Sequence, residues 1–151
     1  MKGMGAFGPT AAQILERHGI KSPQPQGWYS QQSWLDAFKE IAESIGPSTL
    51  NRIGVSIPNS AKFPPGIDTL EKAYHMNHRG GEIGHYSLRK TGERNCVMEC
   101  RNPHLCDFDR GILEALAKLF ASKGSMPGVT HDPSKPCRGK NGDSCTFLIS
   151  W

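Results

Sequence analysis

The sequence predicts an α+β fold: a single domain in which helices pack on an antiparallel sheet of about four or five strands. Three observations favour this class. Apolar residues recur at helical spacing through most of the first half of the chain, and they alternate with polar residues at two places in the second half. The length of 151 residues suits one domain with one modest core.

The composition excludes several classes of protein. The net charge is only +4, and Lys and Arg do not gather on one helix face, so a nucleic-acid partner is not expected. Apolar stretches fall short of the roughly 20 residues of a membrane span, so no membrane partner is expected. The N-terminus lacks the apolar segment of a secretion signal. Five cysteines, an odd number, favour reduced thiols in the cytoplasm.

Residues 1–27 are predicted to form an N-terminal helix and a linker. They precede an α+β ligand-binding domain with a Cys-rich metal site over residues 28–151. The first helix is expected to begin beside Pro9 and to end at Gly19, because Pro suits the first helical turn and Gly the position after the last one.

A stronger helix is expected to follow, capped by Ser30 or Ser33. Its apolar stripe consists of Trp34, Phe38, Ile41 and Ile45. A shorter helical element over residues 50–57 is expected to end at Pro58, because Pro interrupts the hydrogen bonds of a helix.

Two further helices are predicted to begin at acidic residues. Asp68 and Glu71 have the spacing of a capping box, in which two side chains satisfy the free N–H groups of the first turn. The best helical pattern in the chain covers residues 107–122, and either Asp107 or Asp109 is expected to cap it.

The sheet is predicted from alternating segments in the second half. Residues 82–90 and 94–101 flank the turn Thr91-Gly92-Glu93, which is typical of a β-hairpin. Two more strands are expected over residues 129–132 and 144–151. Antiparallel pairing is the natural arrangement for such strands.

Two pairs of cysteines lie at junctions between loops and regular elements. The candidate metal ligands are Cys100, Cys106, Cys137, Cys145 and His131. A tetrahedral Zn²⁺ is held by thiolates and imidazoles from separate chain segments, which these loops can supply. The alternative is that the thiols are free and buried. Zinc is the expected cofactor, and Cys100 and His131 remain alternatives for the fourth ligand. His104 could also replace a thiolate, but a surface position is favoured for it.

A second cluster contains His75, His78 and His85 near Glu82. Three imidazoles and a carboxylate could hold iron or zinc for catalysis. Helix-end histidines in solvent, or histidines that line a pocket, are the alternatives. The candidate pocket residues are Trp28, Trp34, Tyr74, His75, His78 and His85. No nucleophile, phosphate-binding or dinucleotide motif occurs in the sequence, so an enzyme is not the favoured class.

The C-terminal end carries a resemblance to a known family. Cys137-x7-Cys145 followed by Thr-Phe-Leu-Ile-Ser-Trp resembles the end of 4-vinyl reductase-like domains. These belong to the ligand-binding superfamily of nitric-oxide signalling and Golgi transport. The order of elements over residues 30–151 is also similar. The resemblance implies an α+β fold, a homodimer and a small-molecule sensor.

The resemblance also implies a set of zinc ligands. In the aromatic-sensing activators of this group, a Cys before the long helix, an acid three residues before the next Cys, and the Cys-x7-Cys pair bind zinc. Cys106, or less directly Cys100, corresponds to the first ligand, and Cys137 and Cys145 to the last two. Ser134 stands at the acidic position. The fourth ligand must then come from Cys100 or His131.

Haem-binding members of the superfamily use a Tyr-x-Ser-x-Arg motif. This chain has Tyr86-Ser87-Leu88-Arg89-Lys90, in which Ser and Arg are out of register, so the resemblance does not imply haem. The sequence therefore predicts a small cytoplasmic, zinc-binding sensor or interaction domain with an apolar pocket for a hydrophobic or aromatic ligand. The alternative is a metalloenzyme or a haem or iron protein that uses the histidine cluster.

Overall fold

The computed structural model describes residues 8–21, 24, 27–60 and 66–151. The helices are α1 (Gly8–Arg17), α2 (Gln31–Ile45), α3 (Pro47–Ser60), α4 (Leu70–Asn77) and α5 (Cys106–Phe120). The strands are β1 (His85–Gly92), β2 (Asn95–Arg101), β3 (Gly128–His131) and β4 (Cys145–Ser150). No helix in these ranges is long and apolar enough to cross a bilayer.

The four strands form one antiparallel sheet in the order β1-β2-β4-β3. The predicted α+β class and the predicted hairpin are therefore confirmed. In the central pair of strands Cys100 lies opposite Cys145, and at one edge His131 lies opposite Phe147. This register brings cysteines and a histidine from different chain segments to the same end of the sheet.

Helix α5 lies at the centre of the core, between the sheet and α3. Its residues Leu113 and Leu116 are completely buried, as is Phe147 on β4. Helix α1 contributes to the same core, since Ala11 and Ile14 are also completely buried. The domain boundary predicted after residue 27 therefore does not separate two cores, and as a boundary it stays a prediction.

The third helix differs from its prediction at both ends. It begins at Pro47 and continues past Pro58 to Ser60, instead of covering residues 50–57. Pro at the first helical position loses no intrahelical hydrogen bond. Pro58 lies close to the C-terminal end, so its missing N–H removes a bond only from the last turn.

The predicted acidic caps are wrong. Asp68 lies in a short 3₁₀ turn before α4, and the Glu71 carboxylate accepts a hydrogen bond from the Tyr86 N–H at 2.6 Å. Leu105, which has no side-chain acceptor, occupies the cap position of α5. Asp109 is completely buried and binds other side chains. The Glu71 and Asp109 carboxylates therefore bind groups from other parts of the fold instead of capping a helix.

Candidate ligand cavity and metal centre

Three cysteines and one histidine form a group that could hold a metal ion. The potential ligand atoms of Cys106, His131, Cys137 and Cys145 all lie within 4.8 Å of one another. The Cys106 Sγ atom lies 2.9 Å from the Cys145 Sγ atom and 3.4 Å from the Cys137 Sγ atom. Three thiols and one imidazole from four places in the chain form a standard structural zinc set.

The fold explains why these four residues meet. Cys106 is the first residue of α5, His131 is the last residue of β3, and Cys145 is the first residue of β4. Cys137 precedes a short 3₁₀ turn that returns the chain towards β4. Asn141 ends this turn in the left-handed conformation, with φ of 62°, which Asn tolerates better than most residues.

Backbone N–H groups donate to the sulfur atoms. The Gly139 N–H donates to the Cys106 Sγ atom at 3.2 Å, and the Arg138 N–H donates to the Cys145 Sγ atom at 3.3 Å. Donation from the Cys106 thiol and from Arg138 lowers the pKa of Cys145 well below its ordinary value. The same contact raises the pKa of Cys106, because Cys106 keeps the shared proton. One thiolate is thus already stabilised for metal binding.

His131 is a suitable fourth ligand. Its Nε2 atom is buried and has no hydrogen-bond partner among the described residues. Its ring packs against the Phe147 ring at a centroid distance of 4.6 Å, which fixes the position of the imidazole. A metal ion would satisfy a buried imidazole nitrogen of this kind.

Cys100 does not join the metal group. It lies on β2 with its side chain in the core, where it is completely buried. Burial raises the pKa of the Cys100 thiol well above its ordinary value, which disfavours the thiolate form that metals bind. Of the two alternatives for the fourth ligand, the structure therefore brings His131, and not Cys100, to the other three.

A cavity of about 390 Å³ lies between α2, α4, α5 and the sheet. Its volume falls in the range of small-molecule and cofactor sites. Its wall is mostly aromatic and aliphatic, and includes Trp28, Tyr29, Trp34, Phe38, Tyr74, Tyr86 and Phe108. The predicted pocket residues Trp28, Trp34, Tyr74 and His78 line it, whereas His75 and His85 do not belong to its wall. His75 pairs with Glu71 at 2.9 Å on the exposed side of α4.

His78 lines this cavity in a defined tautomer. Its Nδ1 atom lies 2.9 Å from the Tyr74 carbonyl oxygen, and because a carbonyl can only accept, Nδ1 carries the proton. The Nε2 atom of a neutral ring is then the one with a lone pair. Burial lowers the pKa of His78, which favours the neutral form. This is the arrangement that orients histidines as metal ligands.

His104 is one of several cavity residues that the sequence analysis did not place there. The sequence favours a surface position for this histidine, but it is only 7% exposed. Its ring contacts the rings of Tyr74, His78 and Phe108. Its Nδ1 atom is buried without a partner in the part of the chain that the structure describes. The sequence signal for the burial of His104 was weak, because this residue lies in a short polar segment between β2 and α5 where no apolar pattern indicates burial.

The burial of His104 predicts a dependence of stability on pH. Burial lowers the pKa of His104 from 6.5 to about 4. Between these values the unfolded chain binds a proton and the folded chain does not. The stability that is present above pH 6.5 is therefore lost as the pH falls towards 4, on the order of 3 kcal/mol for this group.

Urea unfolding of the wild type and of His104→Phe between pH 4 and pH 7 measures this effect. The variant is expected to lose less stability on acidification. The slope of unfolding free energy against pH that remains includes the contribution of His78. His75→Phe is the matched control, because His75 is exposed. Equal slopes for the wild type and His104→Phe would show that His104 is not buried in its neutral form.

A buried polar network lies between the cavity and the metal group. The Tyr86 hydroxyl donates to Asp109 Oδ1 at 2.6 Å, and the Arg138 guanidinium forms an ion pair with Asp109 Oδ2. The Asn102 side-chain amide also donates to Asp109 Oδ2, at 3.2 Å. Although burial alone would lower the pKa of Arg138, the Asp109 carboxylate raises it above its ordinary value. Arg138 therefore stays charged.

No family model and no curated protein matches the sequence. Among solved structures, a point mutant of the T. tengcongensis H-NOX has a TM-score of 0.63 at 12% identity, and the match covers 99% of this chain and 91% of that chain. An S. oneidensis H-NOX mutant in the Fe(II) ligation state has a TM-score of 0.60 at 13% identity, with 97% and 88% covered. A structure concerned with haem redox potential and porphyrin distortion has a TM-score of 0.64 at 12% identity, with 98% and 88% covered.

At this level of identity the comparisons show the fold alone. The chain has the α+β fold of H-NOX domains. The predicted fold class agrees with this similarity, whereas the resemblance to 4-vinyl reductase-like domains is not confirmed.

Proposed function

We propose that this chain is a sensor domain that binds haem in the aromatic cavity, with His78 as the ligand of the iron. One observation carries the proposal: the hydrogen bond from His78 Nδ1 to the Tyr74 carbonyl leaves a neutral, oriented imidazole in the wall of an apolar cavity. Haem iron is held by such an imidazole in many haem proteins. The similarity to H-NOX structures supports this alternative better than a function based on zinc alone.

The cavity wall contains side chains that are suited to bind the iron of haem. His104 places a second neutral imidazole in the wall, with a ring centroid 5.6 Å from that of His78. The surrounding aromatic rings would exclude water from a porphyrin. Bound haem would supply an open coordination position for a diatomic gas, and the protein would control its access and polarity.

The carboxylates of haem would need a polar partner, and the positions of the Tyr-x-Ser-x-Arg pattern do not offer a free one inside the cavity. At the corresponding positions, the Tyr86 hydroxyl is engaged by Asp109, Leu88 has no hydroxyl, and Lys90 is exposed. Arg79 lines the cavity instead and stacks 3.9 Å above the Trp28 ring. Its guanidinium is suited to bind a propionate there.

The Cys/His group has a separate role in this proposal. Three thiolates and one imidazole would hold Zn²⁺ as a structural ion, with the N–H groups of residues 138 and 139 reducing the excess negative charge on sulfur. Zinc would hold the start of α5, the end of β3 and the loop before β4 together. The homodimer, the cytoplasmic location and the absence of catalysis stay predictions.

Hemin titration tests the haem proposal. The wild type is expected to shift the Soret band of hemin with a stoichiometry of about one per chain, as a histidine-ligated site requires. His78→Ala is expected to weaken hemin binding at least about 10-fold, in line with the loss of a ligand or of its support. His75→Ala is the matched control, because His75 lies three residues away on the exposed side.

The two variants separate specific ligation from nonspecific uptake. Equal affinity in all three proteins would overturn the assignment of His78. If His104→Ala abolished the shift and His78→Ala did not, His104 would be the iron ligand in its place. Absence of any shift in the wild type would overturn the haem proposal and leave a colourless hydrophobic ligand as the occupant of the cavity.

A further inference from the structure

We infer that the ligand cavity and the Cys/His metal group are energetically coupled through Tyr86, Asp109 and Arg138, so that a metal ion at one site strengthens binding at the other. The inference rests on the proposed function for the identity of the two ligands. The contacts themselves do not depend on which ligands occur.

The chain of contacts is continuous from one site to the other. Tyr86 lines the cavity and donates to Asp109 Oδ1 at 2.6 Å. The other carboxylate oxygen of Asp109 is paired with Arg138. The Arg138 Nε atom donates to the Cys145 Sγ atom at 3.4 Å, and its backbone N–H donates to the same sulfur at 3.3 Å. Two side-chain contacts therefore separate a residue of the cavity wall from the residue that holds a metal-ligand sulfur.

Every member of this chain is removed from water. Tyr86 is 4% exposed, Asp109 is completely buried, and the Arg138 side chain is 11% exposed. In a buried network, hydrogen bonds and ion pairs are strong, and a group that loses its partner is costly. A shift of one member is therefore transmitted to the next and is not absorbed by solvent.

Asn102 makes the network more rigid. Arg138 also donates to the backbone and side-chain oxygens of Asn102, and the Asn102 amide donates to Asp109. The guanidinium thus lies between Asn102, which directly follows β2, and Asp109 on α5. When the loop that carries Arg138 is held by a metal ion, the orientation of the Asp109 carboxylate is held as well.

The sign of the coupling follows from the ordering of the loop that carries Arg138. A metal ion bound by Cys137 and Cys145 fixes the loop over residues 138–144 and, through Arg138, the carboxylate that orients the Tyr86 hydroxyl. When the cavity wall is already ordered, ligand binding loses less conformational entropy. Metal binding should therefore tighten ligand binding, and by linkage the ligand should tighten metal binding by the same factor.

Tyr86→Phe tests the coupling from the cavity side. The variant removes one hydroxyl, and Asp109 keeps Arg138 and Asn102 as partners, so the fold is expected to survive; thermal melting verifies this. Tyr74→Phe is the matched control, because its hydroxyl also belongs to a cavity tyrosine but donates to the Ile83 carbonyl outside the network.

Co²⁺ titration of the metal-free full chain, followed by the thiolate-to-cobalt absorption bands, measures the effect. Tyr86→Phe is expected to weaken Co²⁺ binding about 5-fold or more, and Tyr74→Phe less than about 2-fold. Equal Co²⁺ affinity in the wild type and Tyr86→Phe would overturn the coupling, and so would equal weakening in both variants. Failure of the wild type to bind Co²⁺ would overturn it together with the metal centre.

Hemin titration with and without one equivalent of Zn²⁺ provides the reciprocal measurement. The wild type is expected to bind hemin about 5-fold more tightly with Zn²⁺, and Tyr86→Phe equally well in both states. An unchanged hemin affinity in the wild type would contradict the coupling. If hemin does not bind and the Co²⁺ result holds, the haem proposal fails while the coupling between cavity wall and metal group stands.

Discussion

Replacing Cys137 by serine is expected to empty the metal centre and to destabilise the whole domain. The thiol of Cys137 belongs to the group of potential ligand atoms that lie within 4.8 Å of one another. Because the metal binds only the folded chain, its binding energy adds to folding stability. We expect zinc content to fall from about one ion per chain to near zero. We expect stability to fall by about 4 kcal/mol, the contribution of a ligand present at 1,000 times its Kd.

Metal analysis and urea unfolding of protein purified without a metal-affinity step measure both effects. Cys100→Ser is the matched control, since it introduces the same change at a buried cysteine outside the metal group. That variant is expected to keep its zinc, although a hydroxyl in the core lowers its stability. Retention of zinc by Cys137→Ser, or an unchanged melting temperature after chelation of the wild type, would contradict a structural metal at this site.

Replacing Gly111 by alanine is expected to destabilise the fold strongly for the addition of a single methyl group. Helices α3 and α5 approach closely at two glycines. A Cβ atom at Gly111 would lie 2.0 Å from the Asn51 carbonyl oxygen, and one at Gly54 would lie 2.1 Å from the Phe108 carbonyl oxygen. Both obstacles are backbone atoms, so the helices themselves must separate. Overpacking of this kind lowers the free energy of unfolding by about 3 kcal/mol. The better helix propensity of Ala raises it by about 1 kcal/mol.

Urea unfolding of Gly111→Ala therefore should show a net loss of about 2 kcal/mol. Gly92→Ala is the control, because the nearest atom to its added Cβ is the Asn95 side-chain amide at an ordinary 3.5 Å. Its stability is expected to stay within about 0.5 kcal/mol of the wild type. A Gly111→Ala protein as stable as the wild type would show that α3 and α5 are not packed this closely.

The fold class was predictable because its signals are periodic and local. The apolar stripe around Phe38 in α2, the long stripe of α5 and the alternation along β2 each depend only on neighbouring residues. The convergence of Cys106, Cys137 and Cys145 was predicted because thiols in polar loops have few other uses. The choice between Cys100 and His131 was not predictable, since it depends on how β2 and β3 are placed on either side of β4.

The sequence was less informative about polar groups in the interior. Asp109 was predicted as a helix cap because local sequence patterns do not reveal distant partners. In the structure its carboxylate binds Tyr86 and Arg138 in the core. His104 looked exposed for the same reason. The cavity depends on how α4 and α5 are placed against the sheet, and the spacing of residues within one element contains no information on that placement.

The absorption spectrum of the full chain, purified from cells supplied with a haem precursor and without a metal-affinity step, tests the central claim most directly. The account predicts a coloured protein with a Soret band in the wild type and in His75→Ala, and a strongly reduced band in His78→Ala. A colourless wild type that also leaves the spectrum of added hemin unchanged would contradict it.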